Sequence, residues 1–299
     1  MAAGHRATDD RKRSLDFFGP PQRIVSLVPS DTLNVAFLGC AGALVGRTDY
    51  CELPGEVVSR VPSVGGTKNP RVPDILDLAP DLVLANQEEN TRSDIETLAG
   101  RGVRVYIAFP KRVVDGLAHL ARLARILGVQ SDATVRGQLK NGTDVHRAAE
   151  SARARTKPLR VFCPIWMYPL MTIHGDTFVS DMLDLCGMVN VFADRTRRYP
   201  LAADLGGVAP AGSEEIEGRD VRYPRVTPDE VIARAPDLVV LPDEPHRFTE
   251  AEAAVFRALP IPAADRDAVV HTDGKDLCWY GARSIDGIAR VRAMAARFA

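Results

Sequence analysis

The sequence predicts an α/β fold of two similar lobes joined by a long helical segment. The block Ala-Pro-Asp-Leu-Val begins at Ala79 and recurs at Ala235, about half a chain length later. Short apolar segments with the length of strands alternate with helical patterns around each copy, and residues 111–157 between the copies have a helical pattern almost throughout. A repeat period near half of a 299-residue chain indicates two related domains rather than a solenoid of short units.

We predict an N-terminal lobe at 21–110 and a C-terminal lobe at 158–299. Apolar strands that alternate with helices favour a parallel sheet covered on both faces, which is a Rossmann-like arrangement. The predicted strands lie at 24–28, 43–46, 82–85 and 103–107 in the first lobe, and at 160–165, 238–241 and 268–271 in the second.

The linking segment, 111–157, is predicted to hold two helices. The first ends at Gly128, and the second begins after the N-cap candidate Ser131 and extends to about residue 154. Asn141-Gly142 weakens the second helix by roughly 1 kcal/mol of helix propensity. Residues 1–20 are predicted to be an N-terminal tail outside both lobes.

Composition and charge exclude several classes of function. The formal net charge is −1, which predicts no nucleic-acid partner. The five cysteines form no CxxC pair and the six histidines form no HExxH motif, so we expect no metal site, no bound cofactor and no catalytic residues. The first residues are charged and lack the apolar core of a signal peptide, which favours a cytosolic protein.

A set of short motifs is spread along about residues 20–295. Three of them are Arg23-Ile-Val-Ser-Leu-Val-Pro-Ser, Pro164-Ile-Trp-Met and Leu277-Cys-Trp-Tyr-Gly-Ala-Arg, and the others lie at 45–54, 62–70, 79–90, 179–187 and 241–245. In order, these motifs resemble those of the helical-backbone (class III) periplasmic solute-binding proteins of ABC importers, of the cobalamin- and siderophore-binding type.

This resemblance implies a binding protein and not an enzyme. It would be a monomer that captures a corrinoid such as cobalamin, or a related metal chelate, between its lobes, and that delivers this ligand to an ABC permease. The family is periplasmic or exposed at the cell surface, whereas the charged N-terminal residues favour the cytosol, so the compartment stays open.

The candidate ligand-binding residues lie in loops beyond the predicted carboxyl ends of strands, where open α/β sheets bind their ligands. Aromatic side chains there can stack on a flat macrocycle, and an arginine can hold a carboxylate or phosphate on its rim. The candidates are Tyr50, Trp166, Tyr168, Tyr223, Trp279, Tyr280 and Arg283. The resemblance itself implies that Tyr50, Trp166 and Tyr280 lie near the ligand.

Acidic residues are the candidates for docking to a permease. The helix position at which the family's cobalamin binder is acidic is Arg92 in this chain. Glu88 and Glu89 beside it, and Glu244 in the second lobe, are the acidic residues that remain for this role.

Two other functions stay open on the sequence alone. The same architecture could serve a cytosolic corrinoid- or tetrapyrrole-processing enzyme, in which glutamates of the loops would act as acid and base. A carrier of free Zn²⁺ or Mn²⁺ would require a histidine-rich cleft, which the sequence does not indicate.

Overall fold

The computed structural model describes residues 5–299, and their contacts divide the chain into two units. The first unit extends to Asp144 and also includes Trp279–Ile285. The second comprises Val145–Cys278 and Asp286–Ala299. Each unit holds a four-stranded parallel sheet together with helices, which confirms the predicted fold class.

The first unit begins with a two-stranded hairpin and continues with alternating strands and helices. Its elements are β1 (His5–Thr8), β2 (Ser14–Phe17), β3 (Ile24–Ser26), α1 (Pro29–Phe37), β4 (Leu44–Arg47), α2 (Gly55–Val58), α3 (Val72–Asp77), β5 (Leu82–Asn86), α4 (Arg92–Gly100), β6 (Val105–Ala108) and α5 (Val113–Ile126).

Helix α6 (Ala133–Arg153) passes from the first unit into the second, whose sheet follows it. The remaining elements are β7 (Leu159–Phe162), β8 (Pro164–Trp166), β9 (Met171–Thr172), α7 (Phe178–Leu185), β10 (Met188–Asn190), α8 (Pro228–Arg234), β11 (Leu238–Pro242), α9 (Glu250–Arg257), α10 (Pro262–Asp265), β12 (Val269–Thr272), α11 (Lys275–Cys278) and α12 (Ala282–Ala295).

The two parallel sheets have the same strand order. The first is β4-β3-β5-β6 and the second is β10-β7-β11-β12, so in both the first strand of the sheet lies between the second and the third. All five residues of β5 and all five of β11 are buried, as expected for strands covered on both faces. The internal repeat in the sequence therefore corresponds to a repeated sheet.

The repeated alanine adopts the same unusual backbone conformation in both units. Ala79 has φ +44° and Ala235 has φ +43°, which is the left-handed region that few non-glycine residues occupy. In each unit this residue lies between a short helix and a central strand that begins at Leu82 or Leu238.

An aspartate two residues later fixes the neighbouring strand in each unit. The carboxylate of Asp81 accepts the backbone N–H of Arg23 at 3.1 Å, and that of Asp237 accepts the backbone N–H of Arg160 at 3.2 Å. Each arginine in turn donates its side chain to a carbonyl near the end of the preceding helix. The Ala-Pro-Asp block thus makes the same contacts to the neighbouring strand in both units, and we call this arrangement the clamp.

The predicted tail at 1–20 contains a hairpin within its described part. Strands β1 and β2 pair antiparallel over four residues each, and the turn packs against the end of β6. Asp10 accepts the backbone N–H of Phe109 at 2.7 Å and pairs with Arg122 at 2.9 Å. Strands this short leave little periodicity for a sequence-based prediction to detect.

The predicted strand at 160–165 is split in the structure. Strand β7 ends at Phe162, and Pro164, which has no N–H to donate to the parallel ladder, begins β8 in a separate antiparallel pair with β9. This change of partner places Trp166 on a hairpin outside the main sheet. Strand β10, only three residues long, was not predicted.

Helix α6 is continuous through Asn141-Gly142. A Cβ atom at Gly142 would lie 3.1 Å from Leu117 and 3.2 Å from Ile285. Gly142 lowers the helix propensity of this segment, but it allows α6 to pack closely against other residues of the first unit.

Candidate ligand-binding site

The aromatic candidates of the second unit lie on a small antiparallel ribbon. Trp166 of β8 is opposite Met171 of β9, and Met171 is opposite Arg225 in the segment that follows. The backbone N–H of Thr172 donates to the carbonyl of Pro224 at 3.0 Å, and that of Val226 donates to the carbonyl of Leu170. Directly opposite residues of antiparallel strands project to the same face, so Trp166, Met171 and Arg225 share one face.

Burial shows which face of this ribbon is accessible. Thr172, Pro224 and Val226 are buried, whereas Met171 and Arg225, which alternate with them, are half-buried and Trp166 is 43% exposed. Tyr168 lies in the turn between β8 and β9 and is 73% exposed. The ribbon thus presents two aromatic side chains of the same unit to solvent.

The indole of Trp166 is held in place on both sides. Its Nε1–H donates to the carbonyl of Tyr168 at 3.1 Å, and its ring lies 5.2 Å from that of His246. His246 in turn contacts Glu252 at 3.0 Å and packs edge-on against Phe248. A ring fixed in this way loses little conformational freedom when a ligand stacks on it.

Tyr223 lies in the same ribbon segment as Arg225 but is half-buried. The guanidinium of Arg222 lies 5.5 Å from the centre of its ring and is bound by the carboxylate of Asp220. Partial burial alone would raise the pKa of Asp220, but the hydrogen bonds and charge of Arg222 together outweigh this effect, and the pKa is lowered. Tyr223 therefore presents less surface than Trp166 or Tyr168.

In the first unit the exposed aromatic candidate is Tyr50, which follows β4. It is 62% exposed, and one edge of its ring faces the turn at Gly66. A Cβ at Gly66 would lie 2.3 Å from Oδ1 of Asn69 and 3.4 Å from the ring of Tyr50. The short distance involves only the end of the Asn69 side chain, and the ring of Tyr50 lies at ordinary contact distance from this turn.

Asn90 is a positioning residue that sequence reasoning missed. Its buried amide donates to the carbonyls of Leu27 and Thr67 at 3.2 and 3.0 Å, and its Oδ1 accepts the N–H of Asn86 at 2.8 Å. It thus ties together three loops at the carboxyl edge of the first sheet. The only sequence signal was its place after a predicted strand.

Trp279 and Tyr280 differ from the other aromatic candidates in their burial. They are only 4% and 5% exposed, so neither offers a ring face on which a ligand could stack. Arg283, also proposed for the ligand, is half-buried at the start of α12. All three belong to the segment of the C-terminal region that packs into the first unit, and this packing, invisible in the sequence, explains the burial.

The hydroxyl of Tyr280 instead belongs to a buried polar cluster. It donates to Oδ2 of Asp31 at 3.0 Å, while Oδ1 of Asp31 lies 2.7 Å from Nε2 of His119. Burial, followed by the charge of Asp31, raises the pKa of Tyr280 well above its ordinary value. Asn34, which donates to Asp31, also accepts the N–H of Ala282, so the cluster anchors this segment in the first unit.

The three docking candidates lie in loops after β5 and β11. Glu88 is half-buried and its backbone carbonyl accepts from Lys68, whereas Glu89 is exposed. Glu244 pairs with Lys275 at 3.2 Å. Arg92 begins α4 and pairs with Glu96, so the basic residue at this position is exposed and partly neutralised.

Within residues 5–299, no group of three or more histidine, cysteine, aspartate and glutamate side chains is arranged to hold a metal ion. No helix in this described part is both long and apolar enough to cross a bilayer. Cys51, Cys163 and Cys186 are buried, and burial raises the pKa of Cys163 and of Cys186 to about 12.

The chain resembles curated relatives over most of its length. It is 26% identical over 250 residues to the vitamin B12-binding protein of Pectobacterium atrosepticum, covering 81% of this chain and 79% of that protein. It is also 26% identical over 251 residues to the vitamin B12-binding protein of Yersinia pestis, with coverages of 81% and 76%.

Solved structures show the same fold. The periplasmic vitamin B12 binding protein BtuF of Vibrio cholerae superposes with a TM-score of 0.74 at 20% identity, over 93% of this chain and 98% of that one. The periplasmic heme-binding protein RhuT of Roseiflexus sp. RS-1 gives 0.73 at 19% identity, over 92% and 98%. A family model described as periplasmic binding protein matches residues 24–241. The chain therefore belongs to the periplasmic binding protein family, the solute-binding proteins of ABC importers.

Proposed function

We propose that this protein binds a corrinoid, or a closely related flat metal chelate, by stacking on Trp166 and Tyr168, and we retain Tyr50 as the exposed aromatic candidate of the first unit. The observation that carries the proposal is the accessible aromatic surface at the ligand-side loops of each unit: Tyr50 after β4 in one, and Trp166 with Tyr168 on the ribbon in the other. Relatives named as vitamin B12-binding proteins support the ligand class.

The physical case depends on preorganisation. Aromatic faces bind flat rings through apolar burial and offset stacking, which adds about 0.5–1.5 kcal/mol per ring pair beyond the buried area. The fixed indole of Trp166 avoids part of the cost of ordering side chains. We give Tyr223 a supporting role because it is half-buried, and assign no ligand stacking to Trp279 or Tyr280.

The proposal includes a transport role without catalysis. The protein would act as a monomer, release its ligand unchanged and deliver it to an ABC permease. Glu89 is the most accessible of the acidic docking candidates, with Glu88 and Glu244 as further contacts. Arg92 lies beside these glutamates, so we expect the permease surface opposite it to tolerate a positive charge.

Absorbance and calorimetric titration with cobalamin, cobinamide and heme test the ligand class. We expect saturable binding of at least one of them, and about a tenfold loss of affinity, or 1.4 kcal/mol, for Trp166→Ala. Phe18→Ala is the matched control, because Phe18 is an exposed aromatic residue, 82% accessible, on the segment after β2. Failure of the wild-type protein to bind any of the three would refute the proposal.

Two further measurements separate this proposal from its alternatives. Chromatographic recovery of the bound chelate after incubation should return it unchanged, whereas a modified corrinoid would indicate an enzyme. Elemental analysis of protein incubated with Zn²⁺ or Mn²⁺ should show no stoichiometric uptake. Uptake at one ion per chain would instead support a carrier of free metal.

A further inference from the structure

We propose that Arg225 forms an anion-binding subsite beside Trp166, so that the chelate bound by this protein carries a carboxylate or a phosphate on its rim. This inference depends on the proposed function, and it adds a chemical class to the ligand. Arg225 was not among the residues singled out by the sequence.

The register of the ribbon places the two side chains. Trp166 and Arg225 are both opposite Met171, one on each side, and project to the same face. Adjacent strands are spaced about 4.8 Å apart, so two spacings separate their backbones by about 10 Å. A flat ring stacked on the indole would then extend its edge toward the guanidinium.

The side chain of Arg225 has no partner among the described residues. Its Nε is buried and makes no hydrogen bond, and no ion pair involves its guanidinium. A buried N–H without an acceptor costs about 1–3 kcal/mol. A ligand carboxylate or phosphate beside the guanidinium would offset part of this cost through its negative charge.

The nearby carboxylates are already occupied. Asp204 binds Arg195 at 3.1 Å and accepts the backbone N–H groups of Arg198 and Arg225. Asp220 binds Arg222. They therefore leave the guanidinium of Arg225 for an external anion.

Glu230 is occupied in the same way. One of its oxygens binds Arg195 at 3.0 Å, and the other accepts the backbone N–H of Thr227. Both oxygens of Glu230 thus have partners other than Arg225.

The structural contacts of Arg225 are made by its backbone. Its N–H donates to Asp204, and its carbonyl accepts from Arg195 at 3.2 Å. Substitution of the side chain therefore leaves these contacts in place, and we expect Arg225→Gln and Arg225→Lys to fold.

Paired ligands that differ in their anionic group test the subsite. The carboxylate arm compares heme with its dimethyl ester, and the phosphate arm compares cobalamin with cobinamide, which lacks the nucleotide phosphate. We expect the wild-type protein to prefer the anionic member of at least one pair, and the arm that responds identifies the source of the anion.

Arg225→Gln should lower the affinity for that anionic member about tenfold and change the affinity for its partner less than twofold. Arg225→Lys should retain part of the preference, because lysine keeps the charge but lacks the planar fork of arginine. Arg155→Gln, at an exposed arginine before the amino end of β7, removes the same charge and should change neither affinity.

The outcomes separate this inference from the proposed function. Saturable binding with equal affinity for both members of each pair, or an equal loss for both in Arg225→Gln, would overturn the anion subsite alone. Absence of binding to all four ligands would overturn both proposals.

Discussion

The two units share one sheet order but use their buried polar groups for different tasks. In the first unit, Asp31, His119 and Tyr280 anchor the segment Trp279–Ile285. In the second, Arg195 binds Asp204 and so holds the chain that leads into the ligand-side ribbon. A repeated sheet thus supports different loops, and our proposal assigns the binding chemistry to the loops in which the two units differ.

The largest change in the free energy of unfolding is expected on removing the buried ion pair between Arg195 and Asp204 in the second unit. Asp204→Ala leaves the buried guanidinium of Arg195 without one of its two carboxylates, and removal of one partner of a buried pair costs about 3–5 kcal/mol. Chemical denaturation should show this loss of unfolding free energy. A change below 1 kcal/mol would mean that Glu230 alone neutralises Arg195.

A smaller loss of unfolding free energy is expected on changing the buried cluster of Asp31, His119 and Tyr280 in the first unit. Asp31→Asn keeps the size of the side chain but replaces a carboxylate that accepts three hydrogen bonds, so we expect a loss of about 1–3 kcal/mol. Tyr280→Phe should cost less, since it removes only one of them. Hydrogen exchange should increase at Trp279–Ile285 in both variants, and no increase there would contradict the anchoring role.

The stability of the protein at alkaline pH is expected to depend on Tyr106, a buried tyrosine of the first unit. Burial raises the pKa of Tyr106 from 10.0 to about 12 in the folded protein. Below pH 10 the phenol is neutral in both states, so its contribution is fully present. As the pH rises from 10 toward 12 the unfolded state loses its proton first, and stability falls.

Tyr106→Phe should therefore flatten this part of the stability profile by on the order of 2 kcal/mol, as measured by denaturation at several pH values from 9 to 11.5. Tyr50→Phe is the control, because Tyr50 is exposed. Equal profiles for the wild-type and Tyr106→Phe proteins would contradict the raised pKa.

The smallest effect tests the similarity of the units. Ala79→Gly and Ala235→Gly relieve a left-handed alanine at equivalent positions, a relief that the greater flexibility of glycine in the unfolded chain partly offsets. We expect a gain in stability of up to about 1 kcal/mol for each, seen as a higher melting temperature. A loss at one position and a gain at the other would show that the repeated clamp is not equivalent.

Much of the fold was predictable because it depends on local pattern. The apolar runs of β3, β5 and β11 and the repeated Ala-Pro-Asp block indicate buried parallel strands without any knowledge of tertiary contacts. The hairpin β1–β2 and the strand β10 were missed because three or four residues carry too little periodicity.

The site was less predictable because the exposure of a side chain, and the face of the ribbon on which it lies, depend on tertiary packing. Trp166 and Trp279 occupy similar loop positions in the sequence, yet one is 43% exposed and the other 4%. Arg225 was not proposed at all, because its relation to Trp166 follows from the register of both with Met171. Neither burial nor register can be obtained from one sequence without the three-dimensional contacts.

A crystal structure grown with cobalamin tests the central claim most directly. Our account predicts density for the corrin ring stacked on the indole of Trp166, with Tyr168 among its contacts. Well-occupied density at a location that leaves both of these aromatic side chains in solvent would contradict it.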